Sequence, residues 1–480
     1  MKRIIVDQTR RSSRVAVCAW TKAPTQQPAF TFFGCLSMAV LAFTFFAVKA
    51  SAVDTVVHNL AGAPGDGSMP QASLVSDQFG NLYGTTAYGG TNNLGTVFVE
   101  CAPLPAASPD IAPCVSGKAG WVSIVLYNFR GIAFSDGANP TSTLIFGGKF
   151  AGRAFTLYGT TWSGGVGGNC STGGCGTVFE LCAPAAVGGC GGAFWIEHLL
   201  YSFIGGGFDG ENPFAGVIKD KNDDLYGTTV YGGGKGNCPI GGGNFNCGTV
   251  YKLTPPPGFA APWPEKIMHS FAGAPVDGAN PYGALCCNSN LGIKFLYGTT
   301  VLGGKWNNGT VFKLKNLIPA PPVWLYSFTG GLDGANPYGN VVLDPAGNVY
   351  SSAANGGGKG AGTLFGLPQP PPPAPVAPLY TFCSAPGCTD GANPVSGPTL
   401  SGRTNLFGTT FNGGAPGFGT AYAFTIPGAI LVQQHAFNGP GGDGAGPFGG
   451  IVTDPVFPGD WYGTTLDGGG FGFGIVYQIP

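Results

Sequence analysis

"NLYGTTAYGG", Asn81 to Gly90, returns six more times along the 480-residue chain. The copies are TLYGTTWSGG (Thr156–Gly165), DLYGTTVYGG (Asp224–Gly233), FLYGTTVLGG (Phe295–Gly304), NVYSSAANGG (Asn348–Gly357), NLFGTTFNGG (Asn405–Gly414) and DWYGTTLDGG (Asp460–Gly469). Seven copies define a repeat protein. Each is followed by a GTVF-type run, at Gly95, Gly176, Gly248 and Gly309, and in looser form at Gly362, Gly419 and Gly474. An aromatic run comes next: VLYNF (Val125–Phe129), LLYSF (Leu199–Phe203), WLYSF (Trp324–Phe328) and PLYTF (Pro378–Phe382). Then comes DGANP at Asp136, Asp277, Asp333 and Asp390, with variants at Asp66, Asp209 and Asp443. A short apolar segment such as YGNVVLD (Tyr338–Asp344) leads into the next copy.

Each unit thus holds four short β-branched or aromatic runs separated by Gly, Pro, Asn and Asp, with no helical spacing. Successive copies of the YGTT position lie 53 to 75 residues apart. Four strands per unit of at least ~50 residues, seven times over, predict an all-β, seven-bladed β-propeller of four-stranded blades spanning residues 53–480. A β-solenoid, the rival architecture, needs a shorter and stricter period. Name the strands A (VVLD type), B (LYGTT), C (GTVF) and D (LYSF), from innermost to outermost. The region opens with a D-type run, TVVHNL (Thr55–Leu60), and closes after a C-type run, GIVYQIP (Gly474–Pro480). The N-terminal strand is therefore expected to complete the last blade, leaving no unpaired edge between first and last.

These phrases, in this fixed order, resemble the GloVer-type (Gloeo/Verruco) tandem-repeat family of exported bacterial proteins, over nearly all of Val53 to the C-terminus. The resemblance implies export and repeat architecture, and it implies no chemistry, because the family carries no assigned activity. The chain departs from the pattern at the fifth copy, where YSSA (Tyr350–Ala353) replaces YGTT, and shows no sorting tail after Pro480. Kelch repeats also place a double glycine after a strand, but their spaced Tyr/Trp pair is missing.

Composition narrows the classes. Glycine (86) and proline (41) make up about a quarter of the chain, yet 44% hydrophobic and 12% aromatic residues supply what a disordered chain lacks. Charged residues are only 9% and the net charge is −1, which excludes a polyanion-binding surface and with it nucleic acid. Residues 1–52 differ in kind. Lys2, Arg3, Arg10, Arg11, Arg14 and Lys22 precede an uncharged run, Ala29–Val48, and a small-x-small site at Ala50-Ser51-Ala52. This describes a signal peptide cleaved before Val53. The alternative is an uncleaved membrane anchor, the only way this chain would meet a membrane. An extracellular or cell-surface location follows.

Beyond Cys18 and Cys35, twelve of the 14 cysteines remain. Short-range pairing in an exported chain predicts disulfides Cys101–Cys114, Cys170–Cys175, Cys182–Cys190, Cys238–Cys247 and Cys383–Cys388. Adjacent Cys286 and Cys287 would form a vicinal bond or stay reduced. The spacings do not suit zinc, and no metal or cofactor is expected.

In a propeller the B–C and D–A loops share a face. Two B–C loops, Trp162–Gly176 and Val230–Gly248, are longer than the rest, and each holds a cysteine pair. The residue after TT is always apolar and is expected to pack between blades. The next one varies. Tyr88, Ser163, Tyr231, Asn355, Asn412 and Asp467, together with Trp162, are therefore the candidate ligand residues, with aromatic faces and amide or carboxylate groups suited to sugars. DGANP is read as a turn, with Asp bonding locally and Gly at positive φ; calcium binding by one Asp per loop is the alternative. All four histidines (His58, His198, His269, His435) fall in D strands, three of them at the Tyr of LYSF, and no hydrolase or metalloprotease motif stands in a fitting context. The function expected is a monomeric binding module for a glycan or another surface protein, without catalytic residues. Its alternatives are an extracellular glycosidase or lyase using loop-face acids such as Asp209 or Asp467, and a structural envelope component.

Overall fold

The computed structural model describes residues 55–103, 114, 118–147, 155–170, 173–184, 193–236, 238–240, 243–259, 261–287, 293–316, 322–370, 376–456 and 459–480. The expected export segment, 1–52, lies outside the described residues. Blade 1 pairs strand A (Val75–Ser76), B (Leu82–Thr86), C (Thr96–Cys101) and D (Val122–Asn128) in antiparallel order. The same order builds blades 2 to 6 within 145–202, 218–270, 286–327, 342–381 and 399–436. Blade 7 takes A, B and C from Val452–Thr453, Trp461–Thr465 and Ile475–Ile479. Its fourth strand is the N-terminal Thr55–Asn59, with Thr55 opposite Gln478 and Asn59 opposite Ile475. Leu60 N–H then donates to Gly474 O (3.1 Å). The result is a seven-bladed β-propeller closed by its own first strand. Among the described residues, helix is confined to 3-10 turns, and no helix is long and apolar enough to cross a membrane.

The repeated letters acquire separate physical roles. The first hydroxyl after YG leaves its own blade and donates to a carbonyl on the segment that enters strand A of the next. Thr85 reaches Ser142 O (3.0 Å), Thr160 reaches Ala215 O (3.0 Å), Thr299 reaches Gly339 O (2.9 Å) and Thr409 reaches Gly449 O (3.1 Å). Thr228 approaches Gly283 O at 3.5 Å, and Thr464 crosses the closure to Ala72 O (3.2 Å). In the deviant fifth copy Ser352 makes the same bond to Ser396 O (2.6 Å), so the exchange keeps the hydroxyl. The second threonine stays in its blade, as Thr86 does with Thr96 (2.8 Å) and Tyr88 O. The glycine before the pair is steric: a Cβ on Gly84 would lie 2.6 Å from the ring of Phe98 on strand C.

The core lies between blades. The Phe that ends each LYSF run meets the aromatic of the next blade's GTVF run, edge to face in Phe129–Phe179 (5.3 Å) and Phe328–Phe365 (5.0 Å) and tilted in Phe382–Tyr422 (5.2 Å). At the closing junction Leu60 occupies that place and is buried.

DGANP departs from the expected turn. Its asparagine, not its glycine, consistently takes the left-handed conformation, with φ +56° at Asn139, +55° at Asn212, +56° at Asn280, +55° at Asn336 and +54° at Asn393. The glycine does so only at Gly334, Gly391 and Gly444 among the seven. Elsewhere it is needed for proximity, since a Cβ on Gly137 would sit 2.5 Å from Thr161. Asn tolerates φ > 0 because its short amide bonds locally. Here the amide also bridges: Asn280 Nδ2 donates to Val230 O (3.0 Å), its N–H donates to Cys247 O, and its carbonyl accepts from Val301 N–H.

Losing the interblade hydroxyl at Thr299 leaves the buried Gly339 carbonyl with only the long contact from Ser351 Oγ (3.4 Å). Thr299→Val is therefore expected to cost about 1–3 kcal/mol in urea-unfolding stability, while Thr299→Ser, which repeats the Ser352 arrangement, costs well under half of that.

Candidate ligand site at the channel mouth

The D–A crossovers are locked before any ligand arrives. In each blade the DG aspartate accepts from its own glycine or from amides four to six residues upstream, and from the D-strand Tyr or His. Asp136 accepts from Gly137 N–H (2.7 Å), Arg130 N–H (2.9 Å) and Tyr127 OH (2.9 Å). Asp390 accepts from Ser384 N–H and Tyr380 OH. His58, His269 and His435 stand where tyrosine stands elsewhere and meet Asp66 (2.9 Å), Asp277 (3.1 Å) and Asp443 (2.8 Å). His198 is outside the pattern and pairs with Glu180 (3.2 Å). These carboxylates are structural clasps. Asp209, proposed above as a loop-face acid, is among them: it is 3% exposed and held by the amides of Ile204 and Gly210. The clasp turns it inward, away from any substrate.

The residue after each DGANP proline opens the segment that runs along the channel into strand A. These seven residues are Gln71, Thr141, Phe214, Tyr282, Tyr338, Val395 and Phe448, and all line a central cavity of ≈ 340 Å³. The aromatic members touch. Ring centroids are 5.3 Å apart for Phe214–Tyr282, 5.2 Å for Tyr282–Tyr338 and 5.9 Å for Phe214–Phe448. Blades 3 and 7 supply that last pair, so the rings meet across the channel. Trp162 packs on Phe214 (6.0 Å) and on Tyr231 (6.1 Å), and Phe411 packs on Phe448 (6.1 Å). Burial, followed by the adjoining Tyr231 hydroxyl to which it is bonded, raises the Tyr282 phenol well above its ordinary range. Tyr282 therefore stays a neutral donor.

Four of the expected disulfides are present: Cys101–Cys114, Cys170–Cys175, Cys238–Cys247 and Cys383–Cys388. Cys182 is buried, and its expected partner Cys190 lies outside the described residues. No disulfide joins Cys286 to Cys287, and burial pushes the Cys286 thiol up to about 11. The two long B–C loops are clipped as expected and meet through residues 204–209, where Asn246 Nδ2 donates to Gly206 O (3.2 Å). Glu211 approaches the Cys170 sulfur (3.1 Å), the one grouping of potential metal ligands among the described residues. With the sulfurs bonded to each other, no thiolate is available there.

The Gloeobacter/Verrucomicrobia repeat matches residues 239–387 and 321–480, together just over half of the chain. The protein belongs to this family. Curated protein sequences give no match. Similar solved structures of other proteins include TolB from Acinetobacter baumannii (11% identity, TM-score 0.33, 64% of this chain and 59% of that one). A puromycin hydrolase complexed with PGG is also similar (10%, 0.47, 84% and 50%), as is the PQQ domain of pyranose dehydrogenase from Coprinopsis cinerea (9%, 0.37, 89% and 97%). The chain thus spans 50–59% of the length of the first two. Likeness at this level carries no argument about ligand or chemistry.

On the Gloeobacter/Verrucomicrobia scaffold the variable position after TT-x has one fixed register. Tyr88, Ser163, Tyr231, Leu302, Asn355, Asn412 and Asp467 pair with the third residue of the DG segment, as Ser163 does with Ala138 and Asn412 with Ala392. None of them lines the central cavity. Tyr231 and Trp162 stand one layer above it, Asn412 and Asp467 line a separate pocket, and Tyr88 and Asn355 are exposed. Of the residues after TT, Ala87, Val230, Val301 and Ala354 are buried as expected, while Trp162, Phe411 and Leu466 are only half-buried. Sequence reasoning missed the post-proline ring, although the signal was present: behind a nearly constant DGANP, the following residue varies from Gln to Thr, Phe, Tyr and Val.

Two acids beside the clasps carry a pH signature. Burial, then the charge of Asp136, pushes Glu197 up to about 8; burial, then Asp209, does the same for Glu265. One carboxylate oxygen of each is shielded without a hydrogen-bond partner. Unfolded, these groups ionise near 4.5, so folding stability falls as pH rises between about 4.5 and 8 and levels off above that window. Glu265→Gln is expected to raise Tm at pH 8 far more than at pH 5, flattening the profile measured by calorimetry.

Proposed function

We propose that this protein is an exported binding module that holds a carbohydrate at the channel mouth. The observation that carries the reading is the aromatic shelf: Phe214, Tyr282, Tyr338 and Phe448 in one contiguous layer, with Trp162 and Tyr231 above it. Such faces stack on the apolar sides of sugar rings, and the tyrosine hydroxyls, with Gln71 and Thr141 on the opposite arc, bond sugar hydroxyls. The shelf is rigid because it stands between a clasped crossover and strand A, so little ordering entropy is lost on binding. Disulfides at two of the rim loops support an oxidising compartment outside the cytoplasm.

In a glycan screen followed by titration of Trp emission, saturable binding to one carbohydrate class is expected. Trp162→Ala should weaken it at least tenfold with the Tm nearly unchanged. Polysaccharide turnover by the folded chain would replace binding with catalysis as the activity, and silence across the whole screen would remove the carbohydrate.

A further inference from the structure

Blades 5 and 6 share a side-chain pair that blade 7 replaces at both positions. In blade 5, Asn355 exchanges backbone hydrogen bonds with Ala335, and its Nδ2 donates to Asn336 Oδ1 (3.1 Å). In blade 6, Asn412 does the same with Ala392 and with Asn393 Oδ1 (3.1 Å). Blade 7 keeps the backbone: Asp467 exchanges the same pair of bonds with Ala445 (2.8 and 3.1 Å). Both side chains have changed. Asp467 replaces the first asparagine and Gly446, at φ +59°, replaces the second. With no amide at 446, nothing answers the Asp467 side chain.

The vacated space is a real pocket. It measures ≈ 440 Å³ between the loops of blades 6 and 7 and is lined by Phe411, Asn412, Phe418, Pro440, Gly446 and Asp467, among others. Phe411 turns into the space, since a Cβ on Gly446 would lie 2.9 Å from its ring. Phe418 is 38% exposed at the other wall. No hydrogen-bond donor or cation of the described residues pairs with the half-buried Asp467 carboxylate. A carboxylate between aromatic walls favours an organic cation, which gains both an ion pair and the ring faces. A bare metal ion would require many more converging oxygens than one carboxylate supplies.

We propose that the blade 6–7 pocket binds a small organic ammonium group, with Asp467 as counter-ion and Phe411 and Phe418 as flanking rings. This site adjoins the channel mouth, since Phe411 packs on Phe448, but it does not rest on the carbohydrate reading. The test is calorimetric titration of the purified full chain with choline chloride and tetramethylammonium chloride, against sodium chloride, calcium chloride and glucose. Saturable binding of the ammonium salts alone is expected. Asp467→Asn should weaken it at least tenfold. Gly446→Asn, which supplies the missing asparagine at a left-handed position but brings a Cβ within 2.9 Å of the Phe411 ring, should abolish it, and Asp467→Asn should leave Tm and Trp162-dependent binding unchanged. Failure of the wild-type chain to bind either salt overturns the proposal. So does binding that survives Asp467→Asn, or equal binding of calcium or glucose.

Discussion

Seven inner strands converge on one axis, and the carbonyls they turn toward each other need donors that no strand can supply. Strand A is two or three residues long and pairs only with B, so its entering residues have no ladder partner on the other side. The approach is too close for anything but small residues: a Cβ on Gly397 would lie 2.0 Å from Asn340 O, and one on Gly283 2.5 Å from Gly339 O. The hydroxyl that crosses from the preceding blade resolves this, satisfying a buried acceptor while tying neighbours together. The constancy of the first Thr of YGTT, the acceptance of Ser at the fifth copy and the Gly, Ala or Ser at each accepting position ahead of strand A follow from that one bond.

The crossover does the complementary work on the outside of the ring. Its aspartate fixes the loop to the strand it leaves, and its next-but-two residue, left-handed in each blade, fixes the strand it enters. That residue is Asn five times, Gly446 once and Met69 once. Met69 N–H still donates to Phe473 O, and its carbonyl still accepts from Ala87 N–H, so the backbone bridge survives even across the closure. Only the amide bond is lost. Loop positions on this face are thereby set by the scaffold, which lets their side chains diverge without loosening the ring.

Blade number, strand order and the N-terminal latch were legible in the chain because each depends on spacing and on the phase of the repeat. Local disulfides were legible for the same reason. Side-chain direction was not. Asp209 reads as an accessible loop acid until the clasp is seen, and Gly of DGANP reads as the left-handed residue until the φ angles assign that role to Asn. The channel-lining ring was hidden differently. Its members follow a proline and precede strands too short to alternate visibly, so no hydrophobic period marks Phe214, Tyr282 or Phe448 as neighbours; only ring closure brings them together.

A repeat that conserves its hydroxyls, clasps and bridges has spent its constancy on holding seven sheets in a circle. Chemistry then resides where copies differ, and the differences are not scattered evenly. The post-proline positions are aromatic in blades 3, 4, 5 and 7 but Gln71 and Thr141 in blades 1 and 2. The long clipped loops stand on blades 2 and 3, beside the point where the polar arc gives way to rings. The mouth therefore has an aromatic side, a polar side and a raised wall near their boundary. That asymmetry orients a ligand as a symmetric funnel could not, and it arises above interblade hydroxyl bonds that recur at all seven junctions.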